Sequence, residues 1–331
     1  MDDLDLDHIY GQLFDAEDLC EVGACDLAIK LCDQVLSEWG ASDHEEVFEA
    51  IAGALQCRGR SLGRLGRFEE ELAAYDEIVK RFGSKDSGPT VVQVAEARFN
   101  AAVVTAEMGL LDESIRRYAS FVDRYQASSD HEIESQVIRA HYNRAVALKF
   151  SQRGEEALFR FDELVTRYGK SEEPEYEATV VRALASKAGL ELVAGRHGAA
   201  IESAMSGIEK CDAYLSEERF HCHLVLAGAY LLLKDLVSGE KQIAVLLDLL
   251  PEIERRPVAQ NFSFVLRDMA AVIGSDRTLE LIKNSPASEI LAPVVRTLHN
   301  RVDRESDRLQ SIEETAKTLV TDLAWFDRSD Q

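Results

Sequence analysis

Tyr75-Asp76-Glu77-Ile78-Val79-Lys80-Arg81-Phe82-Gly83 decides the fold, because its pattern stands at three further places spaced by 43 residues. One step forward is Tyr118-Ala119-Ser120-Phe121-Val122-Asp123-Arg124-Tyr125-Gln126, and a second step reaches Phe161-Asp162-Glu163-Leu164-Val165-Thr166-Arg167-Tyr168-Gly169. One step back is Cys32-Asp33-Gln34-Val35-Leu36-Ser37-Glu38-Trp39-Gly40. Large, apolar and aromatic positions keep the same order in all four. Leu72, Tyr75, Ile78, Val79 and Phe82 follow the i, i+3, i+4, i+7 spacing of a helix with one buried face.

A second set of positions keeps the period. Ala16, Gly59, Ala102, Ala145 and Ala188 are all small, and seven residues after each comes Gly23, Gly66, Gly109, Gln152 or Gly195. In the fourth unit the turn glycine is read as displaced to Gly154. A small residue followed by a turn glycine describes a helix whose backbone approaches its neighbour closely and then stops. The second helix of each unit ends at Gly40, Gly83 or Gly169, read as left-handed C-terminal caps. A sixth unit at shorter spacing has Ala227 as the small residue and Lys234 at the turn, with a second helix from about Gly239 to Leu250 closed by Pro251.

Small residue, glycine turn and aromatic at these offsets resemble the tetratricopeptide repeat. The family has alanine five residues after the turn glycine and an aromatic nine after it. Ala28, Ala157 and Ala200 match the first place, with Glu71 and Ser114 departing; Tyr75, Tyr118 and Phe161 match the second, with Cys32 and Ala204 departing. The family's period is about 34 residues. The surplus of roughly nine is read as linker plus extra turns on the first helix, and the closing proline is missing. Bacterial proteins with long repeats of the Ala74-to-Gly83 type are most similar. The resemblance implies an all-α fold, a right-handed α-solenoid of tetratricopeptide-like hairpins with a C-terminal helical cap.

The array is expected over residues 1–250 and a helical cap or docking segment over 251–331. There the period is lost but helical patterns continue: Val258 to Ile273, Asp276 to Lys283, Ala287 to about Gln310, and about Ser311 to Phe326. Leu323-Ala324-Trp325-Phe326 hints at docking.

Charge narrows the partners. A net charge of −23 spread along the chain repels nucleic-acid phosphates and anionic lipid. The acidic Met1-Asp2-Asp3-Leu4-Asp5 start is unlike a signal peptide, and no stretch reaches the roughly 18 apolar residues of a membrane span. Cys20, Cys25, Cys32, Cys57, Cys211 and Cys222 lie within helical patterns, which favours free thiols in a cytoplasmic setting.

Catalytic and metal motifs fail on spacing. Gly59-Arg60-Ser61-Leu62-Gly63 spells a hydrolase elbow, but that chemistry needs the serine on a strand-to-helix turn, and Ser61 falls inside a first helix. His221-Cys222-His223 places its histidines about 200° apart on a helix, too far to share an ion. Cys20, Cys25 and Cys32 lack zinc-site pairing. No enzyme activity, metal or cofactor is expected.

The resemblance directs attention to the inward faces of the first helices, which in the family line a concave surface that binds peptides. The register gives Arg60 and Arg64, Phe99 and Asn100, Arg139, Tyr142 and Asn143, and Arg182 with Ser186. Asn100 and Asn143 are one interval apart, as are Arg139 and Arg182. The set is partly similar to the carboxylate clamp of chaperone-docking members. Asn100, Arg139 and Asn143 correspond roughly, but the lysines are absent and Gln56 and Arg60 replace the first pair. The expected function is a scaffold or adaptor for a partner protein or peptide. The alternative is a regulatory or sensor subunit acting on an effector enzyme through residues 252–331.

Overall fold

Each predicted hairpin turns on one backbone geometry. In the computed structural model, Gly23, Gly66, Gly109 and Gly195 have φ between 72° and 80°. The next amide reaches back five residues, as in Arg67 N–H to the Leu62 carbonyl at 2.9 Å and Arg196 N–H to the Glu191 carbonyl at 2.8 Å. This is the Schellman closure of a helix, and its left-handed residue is where glycine is favoured. The fourth and sixth turns adopt it without glycine: Gln152 has φ 61° and Lys234 φ 62°. The turn therefore stays at Gln152, and Gly154 opens the next helix instead of replacing it.

The structure describes residues 6–84, 88, 90–171, 173–211, 216–253, 262, 266, 273–289 and 291. The helices are α1 (Leu6–Glu21), α2 (Cys25–Trp39), α3 (Phe48–Arg64), α4 (Phe68–Phe82), α5 (Val91–Glu107), α6 (Leu111–Tyr125), α7 (His131–Phe150), α8 (Gly154–Tyr168), α9 (Pro174–Val193), α10 (His197–Lys210), α11 (Ser216–Leu232), α12 (Leu236–Leu249) and α13 (Ser275–Lys283). Short 3-10 turns lie at Glu45–Val47, Leu250–Glu252 and Pro286–Ser288. Among the described residues every regular element is helical, and no helix is long and apolar enough to cross a membrane. The chain parts into two compact units between Ser151 and Gln152.

In the first unit α1 pairs with α2, α3 with α4, and α5 with α6; each following first helix packs on the preceding second helix, and α1, α3, α5 and α7 also touch in sequence. The second unit repeats the scheme, with α9 packing on α8 and α10, and α11 on α9, α10 and α12. The hairpin core is the contact that the small residue permits. Tyr75 is buried, and a Cβ on Gly59 would lie 2.9 Å from its ring. Tyr118 and Phe161 are buried at the same place in later repeats, and Cys32 fills it in the first. The departures at the alanine place are compensated locally. Glu71 is buried against Gly63, where a Cβ would meet its carboxylate, and Ser114 donates to the Ala102 carbonyl at 2.8 Å.

The closing glycines of the second helices are not left-handed. Gly40, Gly83 and Gly169 have φ of −59°, −73° and −65°, and Gln126 takes the same place with φ −59°. Their helices end on an ordinary α-type turn, so no left-handed residue is needed, and the next repeat caps the free carbonyls. Arg81 donates to the Gly40 carbonyl at 2.5 Å, and Arg124 to that of Gly83 at 3.4 Å. Arg117 adds a two-point grip on Asp76 at 2.8 and 3.1 Å. Surface pairs of this kind contribute about 0–1 kcal/mol each, so they tune register more than they hold the fold.

Of the C-terminal expectations, Asp276 to Lys283 coincides with α13 to within a residue. Phe262, Leu266, Leu279, Ile282, Ala287 and Leu291 are buried in one cluster with Leu224, Leu231, Ile243 and Leu246 of α11 and α12. The remaining expected C-terminal helices, the Leu323–Phe326 cluster, and Lys85–Ser87 and Pro89 of the linker lie wholly or mostly outside the described residues.

A left-handed conformation costs an L-residue about 1–2 kcal/mol. Lys234→Gly and Gln152→Gly should each stabilise the chain by roughly 1 kcal/mol in urea unfolding, whereas Gly59→Ala, forced against Tyr75, should destabilise it by about 1–3 kcal/mol.

Candidate functional site

First helices face three ways, and the repeat register says which side chain goes where. The side carrying Gly59 and Ala102 meets its own second helix. A second side meets the preceding hairpin: the free Cys57 thiol is buried in one cluster with those of Cys20 and Cys32, and Arg58 pairs with Asp33 at 2.9 Å. Cys57 is pushed up to about 12; its hydrogen bond to Cys20 lowers it, but the bond to Cys32 and burial outweigh that. The third side joins first helix to first helix. There Gln56 Nε2 donates to Glu96 Oε2. Forty residues apart again, the Arg139 guanidinium lies over the Phe99 ring at 5.3 Å. One slot is thus filled by an amide–carboxylate bond between α3 and α5 and by a cation–π contact between α5 and α7.

The residues expected at the site distribute over these sides. Arg60 on α3 approaches Glu17 of α1 at 3.9 Å with its side chain 29% exposed, and Arg64 donates to the Cys20 carbonyl at the end of α1. Phe99 is wholly buried, edge-on to Tyr118 and Phe121 at 5.9 Å each. Its ring supports Arg139 from below and offers no open surface. Tyr142 is buried. Asn100 and Asn143 are buried too and occupy the register place of Cys57, the side turned to the preceding hairpin. Arg182 lies in the second unit, paired with Glu218 of α11 at 3.1 Å, and Ser186 is buried there. In the first unit the polar line along the first helices therefore runs Glu17, Arg60, Gln56, Glu96, Arg139, alternating in sign. Glu17 and Glu96 were missed from sequence, although the 40-residue offset between Gln56 and Glu96 recurs in Phe99 and Arg139.

Other chemistry is structural in its placement. Ser61 is buried within α3. His223 Nδ1 contacts Gln242 Oε1 at 2.7 Å, while His221 is buried on another face of α11. Among the described residues no three His, Cys, Asp or Glu groups are placed to hold a metal ion.

With this geometry established, similar proteins can be compared. No protein-family model matches the chain, and no curated protein is significantly similar to it. Solved structures do match. The apo form of the quorum sensor NprR from B. thuringiensis superposes with TM-score 0.59 over 94% of this chain and 86% of that one, at 11% identity. The apo form of RapI gives TM-score 0.57 over 95% and 96%, at 13% identity. A tetratricopeptide repeat protein from Parabacteroides merdae overlaps at TM-score 0.48 over 88% and 99%, at 16% identity. The fold is tetratricopeptide-like. At these identities the tetratricopeptide-like likeness concerns architecture alone, and the repeat seen at 43-residue spacing is its sequence counterpart.

One titratable group on α7 stands apart. Lys149 lies 5.6 Å from the Phe150 ring, and burial pushes it down from 10.5 to about 7. The folded pKa lies below the free value, so folding expels a proton between these limits, and stability should rise with pH from about 7 to about 10.5. Lys149→Met should abolish that rise and be the more stable protein at neutral pH, as urea unfolding near pH 7 and near pH 9.5 would show.

Proposed function

We propose that this chain binds rather than catalyses, as an adaptor that holds a peptide or helix of a partner protein along its first helices. The observation that carries the reading is the Arg139 guanidinium laid on the Phe99 ring, with Arg60 two repeats earlier facing Glu17 at 3.9 Å. Both cations lie on first helices, and guanidinium donors match carboxylates and backbone carbonyls. Asn100 and Asn143, on the adjoining side, and Tyr142 would hold the helices that carry the line, and Arg64 bonds α3 to the end of α1; in the second unit Arg182 would serve its own first helix. The free state of all six cysteines supports a reducing, cytoplasmic setting.

A regulatory version has one observation in its favour, the likeness in fold to a quorum sensor. In it, the C-terminal segment 252–331 would contact an effector enzyme, through the part that follows the buried cluster reaching Leu291. A chain ending at residue 291 keeps the buried cluster of α11 and α12; an adaptor would then retain its partner, and a sensor would lose its effector.

Arg60→Glu with Arg139→Glu should reduce recovery of the enriched partner at least tenfold in affinity capture read by mass spectrometry, with the urea midpoint little changed. An unaltered set of captured proteins would refute the groove.

A further inference from the structure

The side of each later first helix that meets the preceding hairpin is closed: Cys57, Asn100 and Asn143, at one register place, are 0%, 4% and 0% exposed. The helix α1 carries the same side. One interval before Cys57 stands Phe14, 63% exposed, and one interval before Gly53 stands Tyr10, 39% exposed. The other sides of α1 pack on α2 and α3. A repeat side left exposed is ordinarily polar. Here an aromatic pair one turn apart occupies it, and Gly11 between them leaves open space.

What surrounds the pair selects its occupant. Asp7, Glu17, Asp18 and Glu21 stand at −7, +3, +4 and +7 from Phe14, the positions that share or flank its face. Glu49 of α3 is beside Tyr10, where burial and then that charge raise the phenol's pKa. The helix contains no Lys or Arg, and Arg60 of α3 pairs with Glu17 at its edge. A second copy of the chain would bring the same carboxylates against them, on a molecule of net charge −23. A helix with an apolar stripe edged by Lys and Arg meets both the rings and the acid frame.

We propose that the exposed side of α1 around Phe14 and Tyr10 docks a basic amphipathic helix of a partner protein, independently of the line of first-helix cations. Phe14 would fill the apolar stripe, and Asp7, Asp18 and Glu21 would set orientation.

Two synthetic helical peptides with one leucine stripe, edged by Lys in one and Glu in the other, test this against the full chain by fluorescence anisotropy. The lysine peptide should bind at low salt, weakening at least tenfold as salt is raised to about 0.5 M. Phe14→Ser and Tyr10→Ser keep the net charge, so they separate the apolar contact from general attraction to an acidic protein. Each should weaken binding at least tenfold, whereas Leu110→Ser, an exposed leucine at a distant turn, should change it less than twofold. Far-ultraviolet dichroism should be unchanged, because Phe14 is exposed. Equal binding by the Phe14→Ser variant and the wild-type chain, equal affinity for the glutamate peptide, or no lysine-peptide binding would overturn the assignment. So would a dimer in sedimentation equilibrium that Phe14→Ser dissolves.

Discussion

The architecture depends on one contact, the ring of a second helix lying against the backbone of its own first helix. Gly59 exists for Tyr75, since a methyl group there would stand 2.9 Å from the ring. Because this contact fixes the separation within a hairpin, it also fixes where the next first helix can lie. As far as the fifth turn the same interval is kept by the left-handed turns, the buried rings through Phe161, and the Arg81 and Arg124 caps. An aromatic this deeply buried contributes on the order of 3–5 kcal/mol, several times any surface ion pair. The charged clasps follow a register that packing has already set.

This ordering explains what was legible from sequence. The turns at Gly23, Gly66, Gly109 and Gly195 are local chemistry, because only a left-handed residue closes the Schellman bonds. Gln152 and Lys234 escaped that logic because the strain of a side chain there is small against the packing of two helices. Gly40, Gly83 and Gly169 misled for the opposite reason. Glycine permits a left-handed cap without requiring one, and Gln126 at the same place already showed that a side chain fits.

The placement of the candidate residues was legible in part. Periodicity identified the helices that supply it and the face on which Arg60 and Arg139 lie. It could not reveal that Phe99 is covered, because closure of that face depends on how near α7 comes to α5, a non-local distance. Nor could it separate the Asn100 and Asn143 side from the cation side, which differ by less than one turn of helix. The thiols of Cys20, Cys32 and Cys57 supply that distinction, because they touch across the first inter-repeat boundary and so calibrate the register for every later one.

The same calibration gives the first unit two surfaces of opposite chemistry. Between repeats the inter-hairpin side is a matched joint, small thiols or asparagines seated against the preceding hairpin. At α1 the joint has no counterpart among the described residues, and the sequence has placed aromatics and carboxylates where later repeats hold cysteine or asparagine. The first-helix line interleaves the guanidinium groups of Arg60 and Arg139 with Glu17 and Glu96, whereas the α1 side presents apolar rings in an acidic frame. On the proposed readings the two guanidinium groups would take carboxylates and carbonyls, and the acid-framed apolar side would take the reverse. A single ligand chemistry would not satisfy both, so the two faces would call for different partners, or for different segments of one.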